Sequence, residues 1–98
     1  MDTMSEPDIV IDWLDGLCPV QAEGTIDGEP FYFRARWSHW AVSVGGEDVV
    51  MRPSWRHEEL YADERFAAGY MSHDEVRAFI VKAARAYAAR ASQQAIGS

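Results

Sequence analysis

The chain has 98 residues, which suits one domain with a modest core, and its 48% hydrophobic content indicates a folded chain. Sixteen acids against nine Lys and Arg give a formal net charge of −7, which argues against direct binding to nucleic acid. A single cysteine excludes an internal disulfide, and the acidic N-terminus and lack of a long apolar run argue against a signal peptide or membrane span. We therefore expect one cytoplasmic domain over residues 1–98, flexible at 1–5 and 93–98.

Residues 5–16 are predicted to form a short first helix. Ser5 supplies a cap and Gly16 a C-terminal stop. Apolar residues recur between them at helical spacing: Ile9, Val10, Trp13 and Leu14. Acids line the other side: Asp8, Asp12 and Asp15. This acidic stripe suits either a solvated face or a face that binds a partner.

Residues 19–44 predict a β-hairpin followed by a third strand. Asp27-Gly28 is a strong signal for a type I′ turn, because both central residues of that turn need a positive φ. A two-residue loop there pairs Gly24 with Phe31 and so gives one mostly apolar and one mostly polar face. The polar face carries Gln21, Glu23, Tyr32, Arg34 and Arg36. An exposed ion pair between Glu23 and Arg34 is one expectation for that face, and an open face used for binding is the other.

A second turn is predicted at Ser38-His39. As a two-residue loop it pairs Trp37 with Trp40 on the apolar face and completes a three-stranded antiparallel meander. A fourth strand is predicted over 48–51, after Gly45-Gly46.

Residues 52–71 lack clean periodicity and are predicted to form an irregular connection rich in aromatic and acidic side chains. Long connections inside small domains are often functional, and Trp and Tyr dominate the energetics of protein–protein interfaces. The predicted partner-binding residues are Glu58, Glu59, Asp63, Glu64, Trp55 and Tyr61. The alternative for the aromatic residues is a place in the core.

The last predicted element is a long helix that begins at a capping box, with Ser72 as the cap and Glu75 bonding back to it. Its apolar stripe consists of Val76, Phe79, Ile80, Ala83, Tyr87 and Ala91. A helix of this kind can cover the apolar face of the meander. The predicted fold class is therefore α+β: a three- or four-stranded antiparallel meander, a long C-terminal helix over it and a short N-terminal helix.

The sequence carries no motif for catalysis, a cofactor or a metal. His39, His57 and His73 fall in three different predicted elements, and none is spaced with another ligand type on one element. We expect no enzyme, no cofactor and no metal site. An enzyme of unfamiliar type would need these histidines to converge with carboxylates in a pocket.

In size, acidity, lack of motifs and its helix-plus-meander layout, the chain resembles small proteins of phages and mobile elements, anti-CRISPR proteins among them. The resemblance is one of type and transfers no functional residue. It implies inhibition by occupying the nucleic-acid or nuclease-recruitment surface of a CRISPR effector complex.

The predicted function is that of a non-enzymatic acidic inhibitor that binds and blocks a larger protein or ribonucleoprotein with a basic surface. In this hypothesis Glu58, Glu59, Asp63 and Glu64 mimic phosphates. One alternative is an antitoxin or immunity-type protein that neutralises a basic toxin. Another is an accessory domain that dimerises through Ala84, Ala88 and Ala91 or through a sheet edge. The expected state is a monomer or a weak homodimer, without contact to nucleic acid or membrane.

Overall fold

The computed structural model describes residues 7–16, 19–61 and 71–97. Five strands form one antiparallel sheet in chain order: β1 (Ile9–Asp15), β2 (Val20–Ile26), β3 (Glu29–Arg36), β4 (His39–Val44) and β5 (Trp55–Leu60). One helix, α1 (His73–Gly97), follows them. The α+β class is confirmed, but the sheet has five strands where three or four were predicted.

The β2–β3 hairpin has the predicted register. Asp27 and Gly28 have φ values of 51° and 83°, as a type I′ turn requires. Gly24 lies opposite Phe31, and Ala22 opposite Phe33. Apart from Glu29 beside the turn, the inward positions of both strands are buried, and the outward positions are half-buried or exposed. The predicted division into an apolar and a polar face is therefore confirmed.

The predicted N-terminal helix is wrong, because residues 9–15 form strand β1. The strand pairs with β2 and has a register shift between Ile11 and Trp13, where Asp12 is the additional residue. This β-bulge changes which parity of residue points inward, so Ile9, Ile11 and Leu14 all pack against the core. Apolar residues on both sides of a bulge reproduce helical spacing, which explains the error.

The second turn lies one residue earlier than predicted. Trp37 and Ser38 form it, Trp37 has a φ of 61°, and Ala35 lies opposite Trp40. Moving a two-residue loop by one position shifts the pairing of β3 with β4 by two residues. Because side chains alternate between the two faces of a strand, a shift of two leaves the same residues of β3 and β4 on the inward face. Trp37 is the exception: it was predicted to lie in the core, but the turn leaves it 47% exposed.

The predicted strand over 48–51 is also wrong. Asp48 forms an isolated bridge with Arg52, and its carboxylate accepts hydrogen bonds from the backbone N–H groups of Val50 and Met51. An Asp side chain that bonds its own following backbone stabilises a turn. The next strand is β5, within the segment that was predicted to be irregular.

The sequence of β5 does not show the alternation of apolar and polar residues that is typical of a strand, because two of its inward residues are polar. His57 and Glu59 face the helix side, and Arg56, Glu58 and Leu60 face the other side. Apolar residues stand at both parities, at Trp55 and at Leu60. The pattern therefore matches neither a strand with one buried face nor a helix.

Helix α1 covers the inward face of the sheet, as predicted. The core combines sheet and helix side chains, with Phe33, Trp40 and Phe79 in successive stacks: the ring centroids are 6.1 Å apart for Phe33–Trp40 and 4.7 Å for Trp40–Phe79. The capping box is confirmed, since the Ser72 backbone N–H donates to Glu75 Oε1 (2.9 Å) and the Glu75 backbone N–H donates to Ser72 Oγ (3.1 Å).

Helix α1 continues to Gly97, so residues 93–97 of the tail that was predicted to be flexible are helical. Ala84 is fully buried, so it is not part of an exposed Ala-rich dimerisation face. Within the described residues, no helix is both long enough and apolar enough to cross a membrane. The segment 1–5 lies outside the described residues.

Gly24 should be essential for the pairing of β1 with β2. A Cβ atom at this position would collide with the backbone carbonyl of Val10. We expect Gly24→Ala to lower the free energy of unfolding by about 1–3 kcal/mol in urea denaturation, because a strand must shift to admit the methyl group. Gly28→Asn is the control, since no atom lies within 4 Å of its Cβ position and Asn tolerates a positive φ. Equal stability of Gly24→Ala and wild type would contradict the β1–β2 geometry.

Candidate functional site

The acidic patch predicted between residues 58 and 64 is divided by the sheet. Glu58 and Glu59 are successive residues of β5, so they point to opposite faces. Glu58 lies on the outward face, 3.0 Å from Arg56 Nη1, while Glu59 lies on the helix side. Asp63 and Glu64 lie outside the described residues. Glu58 and Glu59 therefore do not form one surface that resembles a row of phosphates.

Glu59 connects β5 to α1. Its carboxylate is 2.7 Å from His57 Nε2 and 2.8 Å from Lys82 Nζ. The hydrogen bond from Lys82, followed by that from His57, holds the pKa of Glu59 below its ordinary value. This carboxylate is already bound by two partners within the fold, which explains its presence at an inward position.

The two predicted binding aromatics also have partners within the fold. Trp55 stacks on His57 with the rings 5.9 Å apart, and it meets Tyr87 of α1 edge-on at 5.4 Å. The Tyr61 hydroxyl donates a 2.7 Å hydrogen bond to Glu75 Oε2. That bond raises the pKa of Tyr61, and the pKa of Glu75 is lowered, first by the Ser72 backbone N–H and then by Tyr61. Both aromatics join β5 to the helix, and a direct role in binding stays a prediction.

Exposed acids that lack cations concentrate instead around β1 and the β2–β3 turn. Residues 1–33 contain no Lys or Arg. No ion pair with another described residue is formed by the described acids of this region, which are Asp8, Asp12, Asp15, Glu23, Asp27 and Glu29. The acids of β1 and the turn are exposed, and Glu23 is half-buried. We call β1, its two acids Asp12 and Asp15, and Asp8 just before the strand the acidic edge.

The acidic edge also presents apolar surface and free backbone. β1 is the first strand of the sheet, so one side of its backbone has no strand beside it within the described residues. Val10 is 47% exposed and Trp13 is 42% exposed, both on the outward face. A tryptophan between exposed carboxylates at an unpaired strand is a combination that suits contact with a basic protein. The sequence signal was present, but the helix prediction assigned it to the wrong geometry.

The outward face of β3 to β5 has the opposite charge character. Arg34, Arg36 and Arg56 lie there, and the Tyr32 hydroxyl donates a 2.6 Å hydrogen bond to Gln21 Oε1. The expected ion pair between Glu23 and Arg34 is not among the contacts of the described residues. The molecule thus separates negative from positive charge across one sheet.

The described histidines do not converge. His39 is exposed on the outward face at the start of β4, and His57 faces the helix from β5. His73 is exposed at the first turn of α1. Among the described residues, no three His, Cys, Asp or Glu side chains are grouped in a way that would hold a metal ion.

Comparison of the chain with protein-family models, curated proteins and solved structures gives no match.

The Glu59–Lys82 contact should stabilise the fold in a pH-dependent way. Because the pKa of Glu59 is lowered in the folded state, the contribution is present above the ordinary value of 4.5 and is lost as the pH falls through the lowered pKa. A double-mutant cycle with Glu59→Gln and Lys82→Gln, measured by urea unfolding, should give a coupling of about 0.2–1 kcal/mol near neutral pH. The coupling should shrink in acid. A coupling that is zero at neutral pH, or that grows in acid, would contradict the assignment.

Proposed function

We propose that this protein is a non-enzymatic interaction protein that binds and blocks a larger protein or ribonucleoprotein with a basic surface, and that the acidic edge is its contact region. The observation that carries the proposal is the position of Trp13, exposed between Asp12 and Asp15 on the edge strand β1. Among the described residues, no further strand pairs with β1 and no cation lies beside Trp13.

Charge supports a basic partner. Residues 1–33 contain eight acids and no Lys or Arg. The described acids among them form no ion pair with another described residue, so they attract a positive surface without first breaking an ion pair. Charge complementarity mainly accelerates association and selects among partners. The exposed apolar surface of Trp13 and Val10, which becomes buried on binding, then supplies the apolar part of the contact that holds the complex together.

The edge strand supports a partner other than a second copy. Two β1 strands brought side by side would place the carboxylates of one copy near those of the other, and like charges on paired strands repel. A bulge and charged residues are the usual devices that stop an edge strand from pairing with itself. A basic segment meets no such repulsion and can also bond to the free backbone of β1.

A CRISPR effector complex is the partner class that the resemblance to anti-CRISPR proteins implies, and such complexes have basic surfaces for nucleic acid. A basic toxin is the alternative partner, with the same charge logic. The two alternatives predict different pull-down results. An inhibitor recovers a ribonucleoprotein or its protein subunits. An antitoxin recovers a single toxic protein, which is harmless while this protein is bound to it.

The proposal predicts that the acidic edge determines partner capture. The test is a quantitative pull-down from host lysate with the full chain, followed by titration of the recovered partner. Asp12→Asn/Trp13→Ala/Asp15→Asn should weaken binding by about 2 kcal/mol or more, because it removes an exposed tryptophan and two charges at the contact. Wild-type binding should also weaken as ionic strength rises from about 0.05 M to about 0.15 M, since salt screens exposed charges.

The matched control is Glu47→Gln/Glu58→Gln, which removes the same number of negative charges at exposed sites elsewhere. It should bind as wild type does. Loss of binding in the control with full binding by the β1 variant would assign the contact to the β5 region and overturn the role of the acidic edge. Salt-insensitive binding would contradict the electrostatic part of the proposal.

A further inference from the structure

A groove runs along β4 on the outward face of the sheet. Small side chains form its floor, because Ala41 and Ser43 stand between longer residues on the two neighbouring strands. Two adjoining depressions of about 270 and 120 Å³ share Arg34, Ala41 and Arg56 as lining residues. Together they extend from the β3–β4 turn, at Trp37, to the loop at Val50.

Three of the nine basic residues of the chain line this groove: Arg34, Arg36 and Arg56. Arg36 lies over the Trp37 ring at 5.3 Å from its centroid. Arg56 is paired with Glu58 at 3.0 Å, and in the part of the chain that is described neither Arg34 nor Arg36 has a carboxylate partner. The chain as a whole has a net charge of −7, but the guanidinium groups make this groove locally positive. A cluster of guanidinium groups suits an anionic ligand.

The spacing of the cations matches an extended ligand. Arg34 and Arg36 are two residues apart on β3 and point to the same face, so their Cα atoms are separated by about 6.7 Å along the strand. An extended peptide repeats its side chains on one face at the same interval. Carboxylates at every second position of such a peptide can therefore meet both guanidinium groups, with bidentate geometry available to each.

The wall of the groove favours a peptide over a nucleic acid. Glu58 lines the same groove as the arginines, and the chain as a whole is strongly acidic. A continuous phosphate backbone binds by accumulating many cation contacts, and beyond the three arginines it would meet repulsion. A peptide with two or three carboxylates brings its charge only where the arginines are.

We propose that the groove over β4 is a second binding site, which takes an extended acidic peptide segment of another protein in contact with Arg34, Arg36 and Arg56. Trp37 at one end and Val50 at the other, both about half exposed, supply apolar contacts for side chains that flank the acids. The site is separate from the acidic edge, and the protein could hold a basic and an acidic partner together.

The test is a titration of the ¹⁵N-labelled full chain with a capped synthetic peptide of about nine residues, in which Glu alternates with the strand-favouring residue Thr. We expect chemical-shift changes confined to the residues that line the groove, within 32–43 and at 50, 56 and 58. Arg34→Gln/Arg36→Gln should weaken binding by about tenfold or more, and Arg77→Gln/Arg85→Gln, the same charge change on α1, should not. Ala41→Leu fills the floor without altering charge and should also weaken binding. Unchanged shifts of the core amides in each variant show that it is folded.

Several results would overturn the proposal. Absence of shifts in the groove, equal binding of a peptide with Gln in place of Glu, or equal losses in the two double arginine variants would each remove the acidic-peptide site. Tighter binding of a single-stranded oligonucleotide to the same residues would make nucleic acid the occupant. Groove shifts on concentrating the protein alone, abolished by Arg34→Gln, would make the occupant a second copy.

Discussion

The type I′ turn at Asp27-Gly28 is the constraint on which the rest of the sheet depends. It fixes the register of β2 against β3, and a slip of one residue would move Phe31 and Phe33 from the core to solvent. The same turn also holds β1, because Asp27 Oδ1 accepts from the Asp8 backbone N–H and the Asp27 N–H donates to the Asp8 carbonyl, both at 2.8 Å. One short turn therefore positions three strands, and with them the acidic edge.

The distribution of charge over the surface follows from this arrangement of strands and helix. The helix covers one face of the sheet, and no other described element covers the opposite face, so outward residues of β3, β4 and β5 form a surface instead of a core. Arginines gather at that surface, and acids gather at the β1 side. No ion pair between described residues joins the two regions. The described part of the molecule therefore carries two surface regions of opposite charge, the acidic edge and the arginine-lined groove.

The sequence predicted those features whose causes are local. The hairpin turn and the Ser72–Glu75 capping box depend on a few adjacent residues, and both are confirmed. β1 was missed because the bulge at Asp12 changes the alternation within the strand. β5 was missed because His57 and Glu59 become suitable inward residues only when Lys82, far along the chain, supplies a partner. The candidate site changed for the same reason: Glu58 and Glu59 are neighbours in sequence but lie on opposite faces of a strand.

The central claim is that β1, a bulged edge strand, is the contact region. Amide hydrogen exchange along residues 8–16 is its most direct test. In an edge strand, N–H groups that bond to β2 exchange slowly and those on the outer side exchange fast, with the alternation interrupted at Asp12. The account predicts this alternating pattern in the free protein and slower exchange of the outer amides when the partner is bound. Uninterrupted protection of successive amides, as in a helix, would contradict it, as would outer amides that exchange at the same rate with and without the partner.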